Sequence, residues 1–458
     1  MKQKVLDASK RAFGKGRNHE APTEARHPTV QVSAGPGGPP PLPVEIWRKI
    51  LGYTVRIAGS TAVDLEDPFD TPREYEESPD MDPGVYDDRH TLVQVNSMFR
   101  ALVSEMWAEY IVVRCARELE QIIRMLKKSK PNSAGKRLGH KTRRIDLKII
   151  GTYNVHRIAK LLSYTPNLLI FVNQNNKRSG TLDQFPKEML AALKTYAPQL
   201  RRLDLDSINE APDLYDLIYA SSRLPHLRTL RLTCIHSYPT SEEEVMALPI
   251  ANFQSLVSLS LGLIPQPTNG IIPETYIPSW DPFLQYLALS DEQLPSLTWL
   301  ETTLLPSHDH TFFPQHGAKL RLLRTTTWSA NRDLPYTLQH CPNLEDLVLA
   351  QSSTVPVFRA SHPTLRRICI TPLREEATVV PLRIFRYAVL EPLDKLVRVV
   401  EAMRLPNLKE LRIRNVGVFE SLVEHPSMLE IWWIRWDIRS IRFVDKYGKE
   451  FRVVMDRK

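Results

Sequence analysis

The sequence has 458 residues, which is too long for one ordinary hydrophobic core, so we expect several domains or an array of repeats. Hydrophobic residues make up 42% of the chain, but the longest apolar runs, such as Leu168–Val172, are far too short to cross a bilayer, and no membrane partner is expected. The chain has 60 Lys and Arg residues and 52 Asp and Glu residues. A net charge of +8 on so long a chain indicates solubility more than it indicates nucleic-acid binding. Four scattered cysteines without a Cys-x-x-Cys pair are typical of a reducing compartment, so we expect a cytoplasmic or nuclear location and neither a disulfide framework nor a zinc ribbon.

The first 40 residues have the composition of a disordered segment. Dispersed Lys and Arg are followed by the Gly/Pro-rich stretch Gly35–Pro41, and few apolar side chains are present to offset the entropy lost on ordering. We therefore predict a disordered, basic leader over residues 1–40. Its start carries no apolar stretch of the kind that directs secretion.

Two helical patterns follow the leader. In the first, apolar and aromatic residues recur at helical spacing, with Trp47 and Leu51 beside them: Ile46, Ile50, Tyr53 and Ile57. The second is a single stripe with Trp107 alongside, and it consists of Leu92, Val95, Phe99, Leu102, Met106 and Tyr110. Either stripe by itself is typical of a buried helix face.

Together the two patterns resemble the F-box. That family's pattern has an LPxE[IL] start, an Ile-Leu pair, a V-x-x-x-[WF]-R helix and a trailing Trp; the matching stretches here are Leu42–Ile46, Ile50–Leu51, Val95–Arg100 and Trp107. The resemblance implies small helices over residues 41–110 that bind the Skp adaptor of cullin-RING ubiquitin ligases. It assigns adaptor binding to Leu42, Pro43, Ile46, Ile50, Leu51, Val95, Leu102 and Trp107.

A long acidic insertion, at about residues 59–90, separates the two halves of the F-box pattern, which the family joins by a short linker. The insertion is rich in Asp, Glu and Pro, so like charges and prolines predict an extruded, solvated loop. Its spacing does not match the calcium-binding loop of an EF-hand.

The next elements are a strand, a helix and a basic loop. Tyr110–Val113 has the composition of a strand, and a helix follows with Leu119, Ile122, Ile123 and Leu126 on one face. The loop Lys127–Arg137 lacks the interleaved aromatic residues that stack on bases, so the pattern favours a surface loop over a nucleic-acid site.

From about Arg144 onward the phrase L-x-x-L-x-[LI] returns, commonly after a proline, and we predict a leucine-rich-repeat solenoid over residues 111–440. Clear copies occupy 198–205, 225–232, 253–261, 342–349, 363–370 and 406–413, and weaker copies lie at 166–171, 297–300, 320–323 and 426–431. The spacing varies, yet it covers the length of a leucine-rich repeat, and helical stripes lie between the phrases. Cys341–Leu344 resembles the cysteine-containing repeats common in F-box proteins. The sequence therefore predicts an α/β architecture: small F-box helices followed by an irregular leucine-rich solenoid, with parallel strands on the concave face and helices outside.

The alternation within each phrase predicts a partner surface. The leucines face inward, so the residues between them face the other way and line the concave face. Since exposed Trp and Arg most often anchor interfaces, we predict a target-binding surface there. Its residues are Arg202, Asp204, Arg231, Trp299, Glu301, Arg367, Glu410, Arg412 and Trp432.

The end of the chain, residues 441–458, reads as a capping hairpin. Apolar residues alternate on both sides of the turn Asp445–Lys449, which contains Gly448. The clustered tryptophans before it could pack on the solenoid or bind a ligand, and the pattern favours packing.

No catalytic or cofactor motif is present, so we expect neither an enzyme nor a bound cofactor. His308 and His310 follow a loop-like Leu-Pro-Ser and have no second ligand cluster nearby in sequence, so no metal site is predicted. The expected function is that of a substrate receptor that holds the Skp adaptor, and through it a cullin-RING ligase, together with an unidentified target protein. The alternatives are a leucine-rich binding scaffold not engaged in ubiquitin transfer and, less favoured, nucleic-acid association through the basic loops.

Overall fold

The chain was studied as a computed structural model that describes residues 42–57, 59–70, 83–131, 135–176, 183–207, 209–239, 242–262, 280–351, 359–372, 391–414 and 426–450. It divides into two units, Met1–Trp47 and Arg48–Lys458. In the first unit the described residues are 42–47, which open the helix α1 (Val44–Val55). The predicted leader, residues 1–40, lies outside the described residues.

Two further described helices, α2 (Pro83–Val95) and α3 (Ser97–Glu109), follow α1 and precede the first strand. The sequence predicted a single stripe from Leu92 to Tyr110, and this was wrong at Asn96. The Asn96 side chain accepts a hydrogen bond from the backbone N–H of Phe99 at 2.8 Å, so it caps α3 and ends the continuity with α2. Tyr110 then opens the first strand instead of closing the helix.

The described part of the second unit contains a parallel sheet of 12 strands in sequential order, and a separate two-stranded sheet, β4 with β6. The strands are β1 (Tyr110–Val113), β2 (Arg144–Leu147), β3 (Ile170–Asn173), β4 (Asp183–Gln184), β5 (Arg202–Leu205), β6 (Glu210–Ala211), β7 (Thr229–Leu232), β8 (Ser258–Leu261), β9 (Trp299–Thr302), β10 (Leu322–Thr326), β11 (Asp346–Gln351), β12 (Arg367–Pro372), β13 (Glu410–Ile413) and β14 (Arg442–Val444).

Helices lie between most successive strands of the 12-stranded sheet, as the repeat pattern predicted, but the described residues between β11 and β12 contain none. They are α4 (Ala116–Lys128), α5 (Val155–Leu162), α6 (Lys187–Tyr196), α7 (Leu214–Arg223), α8 (Glu242–Met246), α9 (Asp281–Leu287), α10 (Phe312–His316), α11 (Thr327–His340), α12 (Glu391–Ala402) and α13 (Pro426–Asp437). Short 3-10 turns occur at Leu138–Lys141, Asp291–Gln293 and Gly317–Lys319.

One row of buried residues, called here the core row, joins the strands to the helices. Strand register aligns Ile111, Ile145, Phe171, Leu203, Leu230, Leu259, Leu300, Leu323, Leu347, Ile368, Leu411 and Phe443. All belong to one continuous hydrophobic core, and burying a side chain of this size stabilises the fold by about 1.5–3 kcal/mol. The mixed α/β class and the parallel strands are confirmed, and the architecture is consistent with an α/β solenoid.

The last predicted phrase, residues 426–431, was wrong. Pro426 opens α13, and proline is favoured at the first position of a helix, where no backbone N–H is required. Trp432 therefore lies in a helix and not in a strand of the sheet. Trp436, on the same helix, is buried in the core.

The C-terminal strand β14 pairs in parallel with β13, a contact that the hairpin prediction did not include. The turn itself is present: Gly448 has φ of 75° and donates its N–H to the Asp445 carbonyl at 3.0 Å. One antiparallel bridge joins Val444 to Glu450. Residues 451–458, the rest of the predicted hairpin, lie outside the described residues.

Candidate functional site on the polar face of the sheet

The side chains that flank the core row point to the opposite surface of the sheet, called here the polar face. Because the strands are in register, these side chains form two further rows. The first holds Tyr110, Arg144, Ile170, Arg202, Thr229, Ser258, Trp299, Leu322, Asp346, Arg367, Glu410 and Arg442. The second holds Val112, Asp146, Val172, Asp204, Arg231, Ser260, Glu301, Arg324, Val348, Cys369, Arg412 and Val444.

Arginine–carboxylate pairs within single strands dominate the first half of the polar face. Arg202 Nη2 lies 2.8 Å from Asp204 Oδ2, and Arg144 Nε lies 2.7 Å from Asp146 Oδ1, with all four side chains buried. Burial by itself raises the pKa of the Asp204 carboxyl, but Arg202 and the nearby Arg231 outweigh it and hold that pKa below its usual value. Within each pair, the arginine and the carboxylate therefore neutralise each other's charge inside the protein.

In the second half of the face the pairs also cross between strands. Arg367 donates to both carboxylate oxygens of Asp346, with Nε–Oδ1 at 2.6 Å and Nη2–Oδ2 at 2.5 Å. Arg412 Nε donates to Glu410 Oε1 at 2.9 Å, and Arg324 Nη1 lies 3.5 Å from Glu301 Oε1. The forked geometry of the Arg367–Asp346 pair fixes the plane of that guanidinium and leaves its surface available for stacking.

The predicted target-binding residues lie on the polar face, except for Trp432, but most are not accessible. The buried ones expose 1–8% of their surface: Arg202, Asp204, Arg231, Glu301, Glu410 and Arg412. Trp299 and Arg367 are partly exposed. These residues are buried for two reasons, namely the ion pairs described above and a segment that lies over the face.

Residues 59–70, called here the covering segment, lie on the polar face. The sequence predicted a solvated loop over 59–90; instead, residues 83–95 form α2, residues 71–82 lie outside the described residues, and the covering segment contacts the sheet. The Ser60 carbonyl accepts a hydrogen bond from Arg144 Nη1 at 3.5 Å, and Asp64 lies 3.3 Å from Arg228. The prediction considered only repulsion among the acidic residues and omitted their attraction to the arginines of the face.

Phe69 is a buried contact of the covering segment, with 5% of its surface exposed. It packs in a small apolar cluster with Leu322, Val348 and Cys369, and Trp299 packs against this cluster. The Arg367 guanidinium carbon lies 4.3 Å from the centre of the Phe69 ring, which is a cation–π contact. An aromatic side chain is thus held between apolar residues and a guanidinium.

Carboxylates and carbonyls of the covering segment meet the arginines around Phe69. Arg414 Nη2 donates to Glu66 Oε1 at 2.5 Å, Asp67 Oδ2 lies 3.8 Å from Arg367 Nη2, and Arg412 Nη1 donates to the Asp70 carbonyl at 3.1 Å. Asp67 Oδ1 also accepts the backbone N–H of Phe69 at 2.9 Å, which shapes a tight turn.

The predicted adaptor-binding residues differ in exposure. In the first unit Leu42, Pro43 and Ile46 are exposed. In the second unit Ile50 and Val95 are exposed, whereas Leu51 and Leu102 are buried. Trp107 is partly buried, with the Arg89 guanidinium 5.5 Å from its ring and His90 edge-on to it.

Sequence reasoning missed Phe69 and Arg324. Phe69 is a single aromatic residue in an acidic, proline-containing stretch without periodicity, so no pattern indicated that it is buried. Arg324 directly follows the weak copy of the leucine phrase at 320–323, and extending the register from Glu301 on the neighbouring strand would have found it.

Other candidate sites gain no support in the part of the chain that the structure describes. His310 Nε2 lies 2.9 Å from the Asp281 carbonyl, and no group of three or more His, Cys, Asp or Glu able to hold a metal ion occurs among the described residues. The described helices are each too short or too polar to span a membrane.

No protein-family model matches the sequence, and no curated protein matches it. Among solved structures, the chain is similar to a Bacteroides fragilis protein determined by the Northeast Structural Genomics Consortium. The identity is 10%, the match covers 64% of this chain and 72% of that chain, and the TM-score is 0.29.

Proposed function

We propose that this chain is the substrate-recognition subunit of a Skp–cullin–F-box ubiquitin ligase. Its F-box helices dock the Skp adaptor, and its leucine-rich sheet unit holds a target protein. Catalysis then comes from the ligase, and this chain raises the local concentration of the target near the ubiquitin-loaded enzyme.

The supporting observation is the exposure of apolar side chains at the residues that resemble the F-box. Leu42, Ile46, Ile50 and Val95 expose 46%, 39%, 41% and 57% of their surfaces, respectively. Single exposed apolar residues are common, but here they coincide with positions chosen independently from the sequence pattern. An adaptor that covered them would gain about 25 cal/mol for each Å² of apolar surface removed from water.

Adaptor capture tests the proposal. The full chain is co-expressed with a Skp adaptor and purified, and the retained adaptor is quantified for wild type, Ile46→Asp and the double variant Leu42→Ala/Pro43→Ala. A buried, unpaired carboxylate at an interface is expected to reduce retention at least about tenfold, because one such group costs several kcal/mol.

Met246→Asp is the matched control, since Met246 is also exposed but lies on α8, outside the F-box pattern. It is expected to retain the adaptor like wild type. Equal retention by all variants, or no retention by wild type, contradicts the proposal. Adaptor retention without any cullin in the assembled complex favours the alternative, a binding scaffold not engaged in ubiquitin transfer.

A further inference from the structure

The polar face around Phe69 carries more positive charge than its own carboxylates neutralise. Strands β9–β13 and the residue after β13 supply four arginines to this region, Arg324, Arg367, Arg412 and Arg414, and three carboxylates, Glu301, Asp346 and Glu410. The covering segment then adds Glu66, Asp67 and Asp70. The charge of the segment is therefore complementary to the charge of the surface on which it lies.

This part of the face also combines an apolar recess with hydrogen-bond donors. Phe69 fills the recess formed by Leu322, Val348 and Cys369. Beside it, Trp299 Nε1 and Arg324 Nε are buried and have no hydrogen-bond acceptor among the described residues. A buried donor without an acceptor costs free energy. The covering segment leaves these two donors unpaired, so a ligand with additional acceptors would fit the surface better.

The covering segment can leave without opening the hydrophobic core. The cluster around Phe69 is separate from the main core that the core row builds. The contacts of Asp64 with Arg228 and of Asp67 with Arg367 are partly exposed ion pairs, which contribute little in solution. The buried contacts of the segment, made by Leu65, Phe69 and the Glu66–Arg414 pair, lie outside the main core, so the segment is expected to open at a lower free energy than the fold it covers.

We propose that this region is a binding site for an acidic segment of another protein that carries an aromatic residue, and that the covering segment is its internal competitor. The aromatic side chain enters the recess under Arg367, and flanking carboxylates pair with Arg412 and Arg414. The inference deepens the proposed function by assigning the chemistry of the target, but the site itself requires no adaptor.

A peptide copied from the chain is the probe. It is fluorescein-labelled and spans residues 64–70, Asp-Leu-Glu-Asp-Pro-Phe-Asp, and its binding to the full chain is measured by fluorescence anisotropy. In wild type the segment occupies the site, so the apparent affinity falls with the fraction of open molecules. The release variant Glu66→Ala/Phe69→Ala is therefore expected to bind the peptide at least about tenfold more tightly, and added salt is expected to weaken binding.

Two controls locate the binding. Arg367→Ala in the release variant is expected to abolish peptide binding, whereas Arg332→Ala, at an exposed position on α11, leaves it unchanged. The same peptide with Phe69→Ala is expected not to bind. Equal binding of both peptides, or a release variant that binds no more tightly than wild type, overturns the proposal.

Cys369 reports on the covering segment directly. Its Sγ lies 3.8 Å from the Pro68 carbonyl, and burial raises the pKa of its thiol to about 12. Maleimide is expected to label only the exposed Cys115 in wild type, Cys115 and Cys369 in the release variant, and Cys115 alone once the peptide is added. Cys369 that remains unlabelled in the folded release variant contradicts the proposal.

Unfolding is recognised separately, because Cys234 and Cys341 are buried elsewhere and react only if the core opens. If the release variant unfolds, the milder Glu66→Gln/Asp67→Asn variant replaces it and is judged by the same peptide and thiol outcomes. None of these assays contains an adaptor, so their failure is distinguishable from a failure of adaptor capture.

Discussion

Asp204 illustrates how single residues hold the polar face together. Its side chain is almost completely buried, and it keeps its charge because Arg202 donates to it through both Nε and Nη2. A buried pair of this kind contributes little net stability compared with apolar residues of equal size, but removal of one partner leaves an uncompensated charge. Removing one partner of the pair is therefore expected to destabilise the protein more than replacing both.

Arg202→Met is expected to lower the free energy of unfolding by about 3–5 kcal/mol, whereas Arg202→Met/Asp204→Leu recovers most of the loss. Urea unfolding at pH 7 measures both variants. The exposed pair Arg114–Glu118 supplies the control, since Arg114→Met is expected to change stability by less than about 0.5 kcal/mol. If the single and double variants lose the same free energy of unfolding, the uncompensated charge of Asp204 is not the cause of the loss.

The same variant has an expected pH dependence. In wild type the folded pKa of Asp204 lies below its usual value, so its contribution to stability is lost as pH falls through that folded pKa. Without Arg202, burial dominates and raises the carboxyl pKa, so protonation relieves the buried charge at mildly acidic pH. The stability gap between wild type and Arg202→Met is expected to narrow between pH 7 and pH 4.

At the scale of elements, strands were easier to predict than the segments that join or cover them. In the 12-stranded sheet the strands from β3 to β13 each carry a copy of the leucine phrase, because the buried core row requires an apolar side chain at the same position of each strand. The covering segment is defined by Phe69 and a few acidic residues that meet distant arginines, as in the contacts of Asp70 with Arg412, 342 residues apart, and of Glu66 with Arg414, 348 residues apart. Nothing local in the sequence encodes such a contact.

Helix α13 was mispredicted for a different reason. Residues 426–431 carry apolar side chains that fit both a strand and a helix, and short apolar runs cannot be distinguished by periodicity. Pro426, at the start of the run, matches the proline of the leucine phrase, but it opens the helix.

Gly317 tests how closely elements pack. A Cβ at this position would lie 2.3 Å from the His340 carbonyl oxygen, where the 3-10 turn Gly317–Lys319 meets the end of α11. Gly317→Ala is therefore expected to destabilise the protein by about 1–3 kcal/mol in urea unfolding.

Gly52→Ala is the matched control within helix α1. There the nearest atoms belong to the flexible Arg56 side chain, at 3.6 Å, so alanine is expected to raise stability by up to about 1 kcal/mol. Identical effects of the two substitutions would indicate that the close approach at Gly317 is absent.

At the scale of the whole second unit, the strand order follows the chain order, so each strand pairs only with its sequence neighbours in the 12-stranded sheet. Stability in such an arrangement is approximately a sum of local units and their interfaces. A destabilising substitution in one strand–helix repeat is therefore expected to destabilise the neighbouring repeats more than the distant ones.

Leu323→Ala measures that spread. Leu323 is fully buried in the core row between Leu300 and Leu347, and its truncation is expected to cost about 2–5 kcal/mol. Hydrogen exchange is expected to increase most in β9, β10 and β11 and least in β1. Leu289→Ala, at a 41% exposed position, is expected to change little, and a uniform increase over all strands would instead show a single cooperative unit.

The covalent link between the covering segment and the sheet has a quantitative consequence for any ligand of the polar face. A tethered segment competes at an effective concentration on the order of millimolar, whatever its intrinsic affinity. A free ligand at micromolar concentration must then bind roughly a thousandfold more tightly than the segment to occupy the face half of the time. The covering segment thereby sets a minimum affinity for ligands of the polar face. Acidic sequences that bind more weakly than this minimum are expected not to displace the segment.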